Sequence, residues 1–174
     1  MITRAAAPLV IALGCAALAL RPPASPAGLL VIVAVGIAGA TVPVPRAGAG
    51  RADTARWLIV AAIGVGAFAA ARALATPVHA PATVAAAAAT ALAAVAEEAF
   101  FRRLAYGWLA QWSPGLAVAG AALAFALVHV PGYGPRVVPL NLAAGLLLGW
   151  QRWASGGWSA PAVTHAAANL LQMG

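Results

Sequence analysis

A polytopic, all-α bundle of about seven transmembrane helices is the fold class this sequence predicts, and three observations predict it. Hydrophobic residues make up 64% of the 174 positions and charged residues only 7%, too little charge to cover a surface that faces water. The mean hydropathy of +0.93 agrees. Apolar segments recur along the whole chain, broken by arginine, proline or glycine. These segments are rich in alanine and lack the alternation of a β-barrel strand, which favours helix.

The segments run over residues 5–20, 27–44, 57–74, 82–112, 115–130, 138–153 and 158–171. Several are short of the roughly 20 residues that a full crossing needs. No long polar linker separates them, so 1–174 reads as one membrane-embedded domain. Residues 1–81 are expected to form peripheral N-terminal helices, and 82–174 the core that carries the chemistry. Arg4, an apolar stretch and small residues near Ala24 would suit a cleaved signal peptide. The spans that follow favour an uncleaved first helix. The single cysteine, Cys15, excludes an intrachain disulfide and a cysteine-based zinc cluster, and it reads as a small core residue.

The net charge of +7 is carried by arginine alone, since lysine is absent. No basic stripe interleaved with aromatics is present, so the arginines read as orientation signals and lipid headgroup contacts and not as a nucleic-acid surface. With the amino terminus cytoplasmic, Arg4, Arg46, Arg51, Arg56, Arg102, Arg103 and Arg152 fall inside, while Arg21, Arg72 and Arg136 fall outside. That bias predicts a multi-pass protein of the cell (inner) membrane with its N-terminus inside. Trp57, Trp108, Trp112, Trp150, Trp153 and Trp158 lie near the proposed helix ends, as an interfacial belt should. Gly145 and Gly149 form a small-xxx-small face for close helix packing, and Asn141 on the same helix is expected to be interhelical hydrogen-bond glue.

Two of the three acidic residues stand together, as Glu97 and Glu98, after a long apolar run. Ionisable groups inside a membrane are costly and mark chemistry or transport. Ser113 and Pro114 mark the turn of a helical hairpin. Glu97 and His129 lie sixteen residues to either side of Ser113. At ~1.5 Å per residue both are about 24 Å from the turn, at one level of two antiparallel helices.

Neighbouring helical side chains point about 100° apart, so the two glutamates must divide the labour. Glu98 and Arg102 have the i, i+4 spacing of a helical ion pair. Glu97 is then free to act as a general base on water. Phe125 shares a face with His129, and His165 shares one with Asn169. A glutamate and histidine to activate water, with a histidine and asparagine to hold an oxyanion, suffice for amide hydrolysis. His79, between Pro77 and Pro81, is assigned no role.

Glu97-Glu98-x-x-x-Arg102, Phe125-x-x-x-His129 and His165-x-x-x-Asn169 resemble, in order, the three signatures of the CPBP intramembrane proteases. That family, also called ABI, includes the CAAX prenyl proteases and bacterial proteins linked to bacteriocin processing or self-immunity. The resemblance implies that Glu97 and His129 activate the attacking water and that His165 and Asn169 stabilise the oxyanion. Glu98 and Arg102 would support the first signature, and Phe125 would shape the wall beside His129. It also implies a peptide or membrane-protein substrate in contact with lipid. The family is often labelled metalloprotease, and Glu97, His129 and His165 could supply a zinc site. The favoured expectation requires no cofactor, because no further carboxylate is evident to orient either histidine. Two other readings stay open: a non-catalytic immunity or scaffold protein on the same fold, and a small transporter or proton relay. The absence of an internal repeat or paired broken helices speaks against the last.

Overall fold

The computed structural model describes residues 6–45, 53–74 and 83–173. They form seven joined helices, some of them built from successive short segments (Val84–Leu109 and Pro114–Tyr133 are each continuous), and no strand occurs among them. The elements are α1 (Ala7–Leu20), α2 (Pro26–Thr41), α3 (Thr54–Leu74), α4 (Val84–Glu98), a π-helical segment (Ala99–Ala105) and α5 (Tyr106–Leu109). Then come α6 (Pro114–Leu127), α7 (Val130–Tyr133), a 3₁₀ turn (Pro135–Val137), α8 (Val138–Ser155) and α9 (Ser159–Leu171). Three stretches are long and apolar enough to cross a membrane: Thr54–Leu74, Val84–Leu109 and Pro114–Tyr133. α1 and α2 are apolar but shorter. His79, Arg4, Arg46 and Arg51 lie outside the described residues.

Helix starts follow from local hydrogen bonding. Ser25 Oγ accepts from the Gly28 amide at 3.0 Å, and Ser113 Oγ from the Leu116 amide at 3.0 Å, each just before a proline in the first turn. Pro114 therefore opens α6, while the preceding helix has already ended at Leu109. Thr83 caps α4 in the same way at 3.1 Å. α8 stops at Gly156, whose φ of 65° is a left-handed cap open to glycine.

The core nearest the site is aromatic. Phe100 and Phe101 meet edge to face at 5.0 Å, and Phe101 meets Phe125 at 5.4 Å. Leu18 from α1 and Val42, just past α2, complete this cluster, and Cys15 packs against it. Gly39 lets α2 lie against the π segment. A Cβ there would come within 2.6 Å of the Ala99 carbonyl oxygen and the Phe100 Cα. Gly145 and Gly149 pack α8 on Ala122 and Val118 of α6, the role their spacing predicts. The outside is apolar: Leu20, Leu74 and Val84 are all more than 80% exposed, as lipid-facing residues are.

Three of the arginines read from the sequence as orientation signals and headgroup contacts turn inward. Arg102 is fully buried and Arg103 donates to the carbonyls of Gly39 and Val42. Arg152 Nε donates to the Arg102 carbonyl at 3.0 Å, and its guanidinium lies 4.9 Å from the Tyr106 ring centroid. These three satisfy backbone carbonyls inside the bundle, where a bare polar group is costly.

Candidate active site

α4 carries Glu97 and Glu98 into the bundle, 6% and 0% exposed. Glu98 Oε2 lies 3.2 Å from Arg102 Nε, the pair its spacing predicts. The contact is Coulombic and not a directed hydrogen bond, since neither atom has a hydrogen-bond partner among the described residues. Arg102 Nη2 donates to the Gly145 carbonyl at 3.2 Å, and the guanidinium sits 4.8 Å from the Phe125 centroid. The π segment begins immediately after Glu98. Periodicity predicts an unbroken helix over 82–112, so this is a correction. Such segments recur at functional sites because they re-aim side chains within a helix.

α6 ends at Leu127, earlier than the predicted 130, and His129 stands in the joint before α7. His129 Nδ1 is 2.7 Å from the Phe125 carbonyl oxygen. A carbonyl only accepts, so Nδ1 carries the proton and Nε2 of the neutral ring offers a lone pair. That Nε2 is 3.9 Å from Glu97 Oε1, beside the carboxylate and too far from it for a direct bond. The equal spacing about Ser113 does bring these two residues together.

His165 has a partner that the sequence reading does not give it. Its Nδ1 is 2.9 Å from Glu98 Oε1, with both side chains buried. A carboxylate thus orients this histidine, contrary to the expectation that none would. The ground given for a cofactor-free site falls with it. Phe125 packs against both imidazoles, its ring centroid 4.8 Å from that of His129 and 5.6 Å from that of His165. Asn169, one turn beyond His165, lines the same space.

That space is a cavity of ≈760 Å³ lined by Glu97, His129, His165, Asn169 and Arg21 among others. A second cavity of ≈370 Å³ shares Phe125, Asn141, His165 and Asn169 with it and continues to Phe68 and Arg72. Asn141, expected as interhelical glue, makes no side-chain hydrogen bond among the described residues and lines both cavities. Arg21 is also unforeseen: its Nη2 is 3.4 Å from Glu97 Oε1. The available signal was the shortness of the first apolar run, below the roughly 20 residues of a full crossing.

Glu97, His129 and His165 do not converge as a ligand set. No three histidine, cysteine, aspartate or glutamate side chains among the described residues come together to hold an ion.

Residues 79–171 match the family model described as type II CAAX prenyl endopeptidase Rce1-like. No curated protein and no solved structure matches the chain. The match covers more than half of the sequence and contains every residue of the cluster except Arg21. The chain therefore belongs to the Rce1-like, CAAX-protease family of membrane proteases.

Proposed function

We propose that the protein is an intramembrane endopeptidase that hydrolyses a peptide bond at or within the membrane. The observation that carries this reading is the pairing of two carboxylates with two histidines, Glu97 beside His129 and Glu98 with His165, in which Glu97 and both histidines line one cavity while Glu98 backs His165 from the buried side. Residues 82–174 supply the catalytic groups, and the first helices brace them. With the amino terminus inside, the bundle sits in the inner membrane, in contact with lipid and with a peptide or membrane-protein substrate.

Water between Glu97 and His129 Nε2 meets two acceptors, which suits removal of its proton as its oxygen attacks the carbonyl carbon. The carbonyl oxygen becomes an oxyanion. His165 Nε2–H and the Asn169 amide N–H are the donors proposed to hold it. For Nε2 to donate, the Glu98–His165 pair must hold one proton in the Nδ1···Oε1 hydrogen bond and a second at Nε2. The C–N bond then breaks, the departing amine takes the proton held by Glu97 or His129, and the other product is a carboxylate. Arg102 balances the charge of Glu98, and Phe125 packs against both imidazoles.

The test is cleavage by purified protein in proteoliposomes, read by mass spectrometry on membrane-peptide substrates. Prenylated and unprenylated carboxy-terminal peptides are included, because the family description names CAAX prenyl ends. Cleavage by the wild type and its loss in Glu97→Gln protein that still inserts and unfolds cooperatively is the expected outcome. Full cleavage by Glu97→Gln would end the proposal.

A further inference from the structure

Arg21 lies outside the family match, on the loop that leaves α1, yet it reaches the first carboxylate of the site. The Arg21 and Glu97 side chains are 9% and 8% exposed, so water screens the pair little. A second anchor fixes the guanidinium, since Nη1 donates to the Leu18 carbonyl in the last turn of α1. The loop is itself held: Pro22 and Pro23 restrict the backbone, and Ser25 Oγ donates to the Pro22 carbonyl at 3.0 Å. The cation is therefore set in place by α1 and the start of α2.

Both cationic or imidazole neighbours of Glu97 address one oxygen. Arg21 Nη2 is 3.4 Å and His129 Nε2 3.9 Å from Oε1. Oε2 has no hydrogen-bond partner among the described residues, and Glu97 lines the large cavity. A glutamate clamped at one oxygen loses rotamer freedom and presents the other in a defined direction. We infer that Arg21 is a positioning residue, which holds Glu97 through Oε1 and leaves Oε2 as the oxygen that takes the proton of the attacking water. This rests on the peptidase reading above. It makes the first two helices part of the active site, and assigns the chain a site residue that the three signatures do not contain.

The experiment compares Arg21→Gln, Arg21→Lys and Arg21→Ala in proteoliposomes. Arg21→Gln should lower kcat about 10- to 100-fold, the usual range for a residue that orients a reacting group, with KM changed less than about 2-fold. Arg21→Lys should retain most of kcat, because it keeps the charge. Added guanidinium ion should restore part of the activity of Arg21→Ala. A residue that only anchors α1 would instead lower the unfolding temperature, with no guanidinium rescue, and that result overturns the inference. So does wild-type kcat in Arg21→Gln.

A second readout is independent of turnover. The infrared carboxylate band assigned to Glu97, by difference from Glu97→Gln, should shift in Arg21→Gln. An unmoved band overturns the Arg21 assignment alone. A wild type that cleaves nothing, or a Glu97→Gln protein that cleaves fully, overturns the peptidase reading instead.

Discussion

His165 Nδ1 lies 2.9 Å from Glu98 Oε1, so the second carboxylate of the acidic pair, and not the first, governs the histidine of α9. Glu98 is thereby shared, with Oε1 on an imidazole and Oε2 beside a guanidinium. Removing Glu98 would strand Arg102 in the bundle, where an uncompensated charge costs about 3–5 kcal/mol. Glu98→Ala should therefore unfold at a markedly lower temperature in detergent than wild type. Adding Arg102→Met should recover much of that stability but none of the activity. Equal unfolding temperatures for Glu98→Ala and wild type would show that the pair contributes nothing.

His129 makes a different prediction, because its ring is tied to backbone at Phe125 and has no ion pair shorter than 3.9 Å. Little of the fold depends on it. His129→Ala should leave the unfolding temperature within a few degrees of wild type, while kcat falls about 10²–10⁴-fold, the range for loss of a general base. Kinetics and thermal unfolding on the same preparation decide it.

The motif spacing was readable because helical periodicity fixes which residues share a level and a face. That is how Glu97 and His129, on either side of Ser113, and the Glu98–Arg102 pair are found in advance. What periodicity does not give is the rotation of one helix against another, so His165 could not be assigned to Glu98 over Glu97. The π segment was hidden for a related reason. Nothing in Ala-Phe-Phe-Arg-Arg-Leu-Ala disfavours an ordinary helix, and tertiary packing against Gly39 and the buried arginines accompanies the change. The arginine count gives a side of the membrane and not a partner for each side chain. Arg102, Arg103 and Arg152 bond carbonyls within the bundle.

Glycine positions separate packing from propensity. Gly39 faces backbone atoms that cannot swing aside, whereas a Cβ at Gly66 in α3 meets nothing within 4 Å. Gly39→Leu should destabilise by roughly 1–3 kcal/mol or more through overpacking and should disturb the π segment. Gly66→Ala should be neutral or stabilising by up to about 1 kcal/mol, since alanine is the better helix former. Thermal unfolding of the two variants side by side measures the contrast, and equal effects would refute the close approach of α2.

Gln151 joins three helices without touching the cavity. Its Nε2 donates to the Val60 carbonyl at 2.7 Å and to Thr164 Oγ1 at 2.9 Å, so α8 ties α3 to α9 one residue before His165. All of this is buried, and Thr164 Oγ1 also faces the Ala61 carbonyl at 3.5 Å. Gln151→Leu keeps most of the volume but removes the donor that Thr164 Oγ1 and the second lone pair of the Val60 carbonyl share, a loss of about 0.5–1.5 kcal/mol per hydrogen bond. The loss should fall on α3 and the first half of α9 and not on α6. Hydrogen exchange resolved by segment is the appropriate measurement: amides of Val60–Gly64 and of α9 should exchange faster in Gln151→Leu, while those of α6 keep wild-type protection. Faster exchange spread evenly over all helices would mean that Gln151 supports the bundle as a whole and does not tether α9 in particular.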